Sequence, residues 1–136
     1  MPVSITGFYL GNKKVCIKHE ASGVEIKTAA PLDNNGDGSS FSPTDLFAAS
    51  LGSCMLTIMG IFADNNNIDL NGSHFELKKE MSTNPRRIGA IPVTFHLPKL
   101  ISNSDRIKLE RSAMTCPVHH SLHPGIEIEV DFLWDA

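Results

Sequence analysis

Residues 42–63 read SPTDLFAASLGSCMLTIMGIFA. Ser42 can cap a helix, Pro43 suits the first helical position, and Asp45 puts a carboxylate at the positive end of the helix dipole. From Leu46 to Ala63 no residue is charged, and apolar or small side chains run all the way round, the pattern of a helix buried on every side. Ser50, Ser53, Thr57 and Gly60 fall along one edge at helical spacing, where small residues let another backbone approach. Cys54 sits in the middle of this run. A thiol held on rigid, dry structure is a candidate for chemistry.

The 136 residues around this helix are expected to form one domain spanning residues 1–136, large enough to bury a core. A formal net charge of -3 gives no electrostatic footprint for nucleic acid, which calls for clustered Lys and Arg. Met1-Pro2-Val3-Ser4 is not followed by an apolar run and a small-residue cleavage site, so the expected location is cytoplasmic. The uncharged run 46–63 has about the minimum length of a membrane span, but its hydroxyls and glycines favour a core helix in a soluble fold. Three cysteines in a cytoplasmic chain argue for free, metal-binding or redox thiols rather than a disulfide framework.

Residues 3–10, 14–20 and 24–29 are short segments rich in β-branched and aromatic residues, separated by Gly11-Asn12 and Ala21-Ser22-Gly23; they predict an antiparallel meander. Residues 29–41, AAPLDNNGDGSSF, are turn formers and predict a loop. Asp33, Asn35, Asp37 and Gly38 match the first half of a calcium-binding loop, yet Thr44 stands where a bidentate Glu is needed and a strand precedes the loop, so calcium is not expected. After the long helix, residues 74–82 predict a strand, Asn84-Pro85-Arg86-Arg87 a turn, and residues 88–97 a strand interrupted at Pro92. Asn103-Ser104-Asp105 opens a second, amphipathic helix that ends near Thr115-Cys116-Pro117, and residues 126–134 close the chain as an alternating strand. Three strands, a long helix, two strands, a short helix and a strand make an α+β domain.

Cys54 inside the first helix and Cys116 just after the second could meet if the helices pack together. Such a pair is a two-step redox device, in which one thiolate is oxidised to a sulfenic acid and the other condenses with it to a disulfide. Equally, both could be small buried hydrophobes. Cys116 begins CPVHHSLH, one thiol and three imidazoles close in sequence, but His19, His74 and His96 lie apart in predicted strands and supply no second metal-binding cluster. His119 or His120 could instead lower a thiol pKa as an imidazolium, or be plain exposed loop residues. Cys16, in a predicted strand, is read as packing.

Taken together, Ser42-Pro43-Thr44-Asp45-Leu46 leading to Gly52-Ser53-Cys54, and the later Cys116-Pro117-Val118, resemble the OsmC/Ohr family (osmotically inducible protein C and organic hydroperoxide resistance protein) over nearly the whole chain. The resemblance implies antiparallel sheets around a long buried central helix, and an intertwined homodimer with two active sites at its interface. It further implies that Cys54 attacks a peroxide, that Cys116 resolves it as a disulfide, and that a dithiol or lipoyl-type reductant restores the thiols without metal or flavin.

The chain departs from the hydroperoxide-resistance branch in two places. That branch has a Glu after the helix-opening proline, where this chain has Thr44, and Asp45 is no substitute, lying about 180° round the helix from Cys54 against about 80° for Thr44. An arginine of an N-terminal strand is replaced by Lys14, or Lys13 beside it, which supplies charge without a planar fork of donors. The chain is therefore more similar to the broader OsmC-like branch. The function implied is a thiol-dependent peroxidase acting on organic hydroperoxides in oxidative-stress defence, with Cys54, Cys116 and Lys14 at the site, His119, His120 and Thr44 as helpers, and Leu46, Phe47, Met55 and Phe62 as candidate pocket lining. The alternatives are a protein that binds a small apolar ligand or senses redox state with little turnover, and a thiol-transfer enzyme acting on another electrophile.

Overall fold

Ser42 opens the long helix as its sequence predicts. In the computed structural model, which describes all 136 residues, helix α1 (Pro43–Asn65) begins with a reciprocal cap. The Ser42 main-chain N–H donates to Asp45 Oδ2 at 2.9 Å, while the Asp45 N–H donates to Ser42 Oγ at 3.1 Å. Two donors that the first helical turn leaves unpaired are thereby satisfied, and the Asp45 carboxylate is committed to the cap.

The chain divides into two units, residues 1–46 and 47–136. The first holds β1 (Ile5–Gly11), β2 (Lys14–His19) and β3 (Glu25–Ala29), an antiparallel meander in the order β1-β2-β3, as predicted. The β1–β2 hairpin turns through Asn12 and Lys13, both at positive φ, which is the backbone that matches strand twist in a two-residue loop. Only Thr28, Ala29 and Ser42 are buried in this unit. Between Ala29 and Ser42 the chain makes one 3-10 turn, Leu32–Asn34, and a loop in which Asp37 accepts from the Ser39 N–H at 3.0 Å and pairs with Lys14 at 3.0 Å.

The second unit contains most of α1 and four strands: β4 (His74–Leu77), β5 (Glu80–Ser82), β6 (Arg87–His96) and β7 (Glu127–Leu133). Strand β6 is central, antiparallel to β4 and β5 and parallel to β7. That last pair corrects the expectation of wholly antiparallel sheets. A parallel return needs a long crossover, and α2 (Asn103–Ala113) with a further helix, α3 (Pro117–Ser121), supplies it.

Three more differences have local causes. The strand expected over residues 74–82 breaks at Lys78-Lys79 into β4 and β5. Pro92 does not interrupt β6, because it falls opposite that break. Its carbonyl accepts from the Lys78 N–H at 3.1 Å, and the N–H it lacks would face the gap between β4 and β5, where no ladder partner is missed. Pro117 ends the approach from α2 and at once begins α3, since proline is well placed in a first helical turn.

The core lies wholly within the second unit. Ala48, Leu51, Met55, Met59 and Ala63 form a stripe along α1 that packs with Val93 and Phe95 of β6, with Leu97 just beyond it, and with Leu109 and Ala113 of α2. Helix α1 is long and apolar enough to cross a membrane, but it serves here as the core helix of the second unit. It is not buried on every side within one chain, because Phe47, Ser53, Thr57 and Ile61 are exposed. The close approach also differs from the expected edge. It occurs at Gly52, where a Cβ would lie 2.4 Å from the Phe75 ring, while Gly60 has open space around it. Glycine at position 52 is what seats α1 against β4, two residues before its thiol.

Candidate functional site

Helix α1 carries Cys54 on the border between its buried stripe and its exposed edge, leaving the thiol half-buried. Cys116 reaches the same place from the crossover. Ser102 caps α2 by accepting from the Asp105 N–H at 3.3 Å, one residue earlier than the expected Asn103-Ser104-Asp105 start. After Ala113 the chain leaves α2 through Met114 and Thr115, and Cys116 becomes the cap of α3, its Sγ accepting from the His119 N–H at 3.4 Å. Cys116 is 0% exposed and belongs to the core.

Both are free thiols, and their side chains interact. Burial first, and then the neighbouring Cys54, push the Cys116 thiol above its ordinary value, while the main-chain N–H groups of His119 and Val118 pull the other way. Cys54 is the partly exposed member of the pair and Cys116 the buried one.

Beside the pair lies an open groove of about 310 Å³ lined by Phe47 and Ser50 of α1 and by Pro117, Val118, Ser121 and Leu122. Ser50 Oγ donates to the Phe47 carbonyl at 2.6 Å and Ser121 Oγ to the Pro117 carbonyl at 2.8 Å. With both hydroxyls tied to their own helices, the groove presents mainly carbon. Of the four residues expected to line a pocket, Phe47 lines this groove, Leu46 is half-buried in the first turn of α1, Met55 is in the core, and Phe62 packs against it.

Both histidines, His119 and His120, lie on α3, next to Cys116 in the chain. His119 touches Cys116 through its main chain, its ring Nδ1 is buried without a partner, and the exposed His120 ring stands edge-on to it at 5.9 Å. Thr44 Oγ1 lies 3.2 Å from Ser42 Oγ, within the helix-opening cap. Lys14 is engaged by Asp37, whose carboxyl is held down at about 2 by its bonds to Ser39 and then to Lys14. Cys16 has a partner that the sequence did not reveal, for its thiol donates to Glu25 Oε2 at 3.6 Å, and desolvation followed by the Glu25 charge raises its pKa.

Sequence reasoning missed α3, and with it the main-chain N–H groups at Cys116. The signal was present in Cys-Pro-x-x, a capping side chain followed by a proline at the first helical position.

Fold and site together define an α+β protein with two unlinked thiols set against each other between a core helix and a crossover. The model of the family described as OsmC-like protein matches residues 36–131, and the chain belongs to that family. The chain is similar to a crystal structure from Psychrobacter arcticus 273-4, whose name places it in the osmotic stress and detoxification response, with 38% identity, a TM-score of 0.91, and 97% of this chain and 96% of that one covered. It shares the fold with an organic hydroperoxide resistance protein from Legionella pneumophila, at 16% identity and a TM-score of 0.74, with 98% and 97% covered. An OsmC-like protein from Mycoplasma pneumoniae shares it too, at 17% identity and a TM-score of 0.77, with 97% and 96% covered. No curated protein matches the chain.

Proposed function

We propose that this chain is a thiol-dependent peroxidase that reduces organic hydroperoxides, and that the contact between half-buried Cys54 and buried Cys116 carries that reading. The Cys54 thiolate attacks the outer oxygen of a hydroperoxide, the O–O bond breaks, and the alkoxide leaves to take up a proton as the alcohol. Cys54 is then a sulfenic acid. Cys116 attacks its sulfur, a disulfide forms, and the hydroxyl departs with the Cys116 proton as water. A small dithiol or lipoyl-type reductant reduces the disulfide by exchange and leaves oxidised. No metal or flavin is required by this sequence of steps.

The carbon-lined groove beside the pair suits the organic portion of an alkyl or lipid hydroperoxide. Lys14 is the candidate cation for the thiolate, positioned by Asp37, with Thr44, His119 and His120 as helpers. Apolar side chains exposed on β1, and the exposed edge of α1, support a homodimer. A cytoplasmic setting, where thiols stay reduced, completes the proposal.

Intact-mass analysis of reduced protein with one equivalent of cumene hydroperoxide, and separately of hydrogen peroxide, tests it. A Cys54–Cys116 disulfide that forms faster with the organic oxidant, a trapped sulfenic acid in Cys116→Ser, and no peroxide consumption in Cys54→Ser are expected. Thiols that stay reduced while cumene hydroperoxide persists would overturn the assignment. Thr44 in place of the branch's Glu favours a second reading, in which the same groove binds a small apolar ligand without turnover; that reading predicts ligand retention through purification together with unreacted thiols.

A further inference from the structure

On the outer face of the second unit's sheet, far in sequence from either thiol, four ionisable side chains meet. His74 and His96 are direct cross-strand partners on β4 and β6, and their rings stack with centroids 4.7 Å apart and planes 12° from parallel. His96 Nε2 lies 3.1 Å from Glu76 Oε1 of β4, and His96 Nδ1 lies 3.0 and 3.1 Å from the two carboxylate oxygens of Asp135 beyond β7. Both ring nitrogens of one imidazole are thus faced by carboxylates. Only the imidazolium can donate from both, because the neutral ring has one N–H and turns a lone pair toward the other acceptor.

We propose that His96 is a pH-operated clasp that ties β4 to the C-terminal segment through its two ring N–H groups and lets go of Glu76 when one of those protons is lost. The two carboxylates are not equivalent. Glu76 is 75% exposed and can swing into water. Asp135 sits in a segment fixed on either side by main-chain bonds, from the Leu97 N–H to the Leu133 carbonyl and from the Ala136 N–H to the Leu97 carbonyl. A neutral His96 keeps Nδ1–H on Asp135 and drops the Glu76 side.

The surroundings reinforce the cation. On the β7 side Leu133 is the residue opposite His96, and Asp131 follows two positions back on the same face, opposite Thr94. From β4 the facing groups are Glu76 and His74, and the His74 Nδ1 is held at 3.1 Å from the Gly72 carbonyl. Hydrogen bonds to Glu76 and then Asp135 raise the His96 pKa, against a smaller opposing effect of desolvation. Its folded value therefore lies above its unfolded one. The clasp contributes fully below the ordinary histidine pKa and is lost as pH rises through the folded value.

An NMR titration of the imidazole and amide signals in the intact reduced protein tests the clasp without reference to turnover. Expected are a His96 midpoint above that of ordinary histidine, Glu76 signals that move with that same midpoint, and an Ala136 amide that stays protected throughout. In Glu76→Gln the midpoint falls, because a neutral amide no longer favours the cation; in Asp135→Asn it also falls, and the Ala136 amide exchanges faster. His74→Phe keeps a stacked ring while removing the neighbouring titration, and its His96 midpoint stays raised. A wild-type midpoint at or below the ordinary value, Glu76 signals indifferent to it, or a midpoint unmoved in Glu76→Gln would overturn the proposal.

Discussion

The two units of this chain solve the problem of apolar side chains in opposite ways. Residues 47–136 fold α1, β6 and α2 around a shared core in which Leu51, Met55, Phe95, Leu97 and Leu109 are fully buried. Residues 1–46 hold a sheet with regular pairing and almost no interior, in which Phe8 is 72% exposed and Tyr9 69%. Strand pattern and strand burial are separate properties. Alternation and β-branching suffice to pair β1 with β2, but whether a face is covered depends on what packs on it.

The sharpest way to break this contrast is to delete an interior ring. Phe95→Ala is expected to cost about 3–5 kcal/mol by chemical denaturation, since it empties a fully packed site. A loss below about 1 kcal/mol would mean that the second unit is not the stable half. Next in size, Gly52→Val pushes a side chain into the Phe75 ring and is expected to cost about 1–3 kcal/mol and slow the Cys54 reaction with peroxide. Stopped-flow thiol oxidation of the variant would show whether the seat of α1 controls the thiol.

A smaller effect is expected in the first unit. If a second copy covers β1, Phe8→Asp should weaken dimerisation by about tenfold or more in sedimentation experiments, a change of about 1.4 kcal/mol. Unchanged association would leave the sheet bare and remove the proposed reason for its apolar faces. The smallest effect concerns the Lys14–Asp37 pair. Because the folded pKa of Asp37 is depressed to about 2, its contribution is present above the ordinary carboxylate range and is lost as pH falls through that value. Asp37→Asn should flatten the acid limb of stability only slightly in a pH series of denaturation curves, because solvent screens so exposed a pair.

The sequence is legible where a signal is local. Ser42-Pro43 and Asp45 specify the start of α1, Gly11-Asn12 announces the first hairpin within a residue, and the two cysteine contexts point to each other through family resemblance. Other features depend on partners distant in the chain. Nothing in Pro92 tells that its missing N–H will face a break in the neighbouring strand, and nothing in residues 126–134 tells parallel from antiparallel pairing. The exposed edge of α1 was hidden for a related reason, since composition all round a helix does not say whether one chain supplies all its neighbours. His96 looked isolated because its partners, Glu76 and Asp135, are 20 and 39 residues away.

The parallel pairing of β6 with β7 has a consequence for the order of assembly. Hairpins such as β1–β2 can close as soon as they are synthesised, but β7 can dock only after the whole crossover has emerged and folded back. Cys116 rides on that crossover, so its meeting with Cys54 belongs to the late stage of folding. A nascent chain carries two separate thiols, and they come together only once the crossover has folded back onto α1.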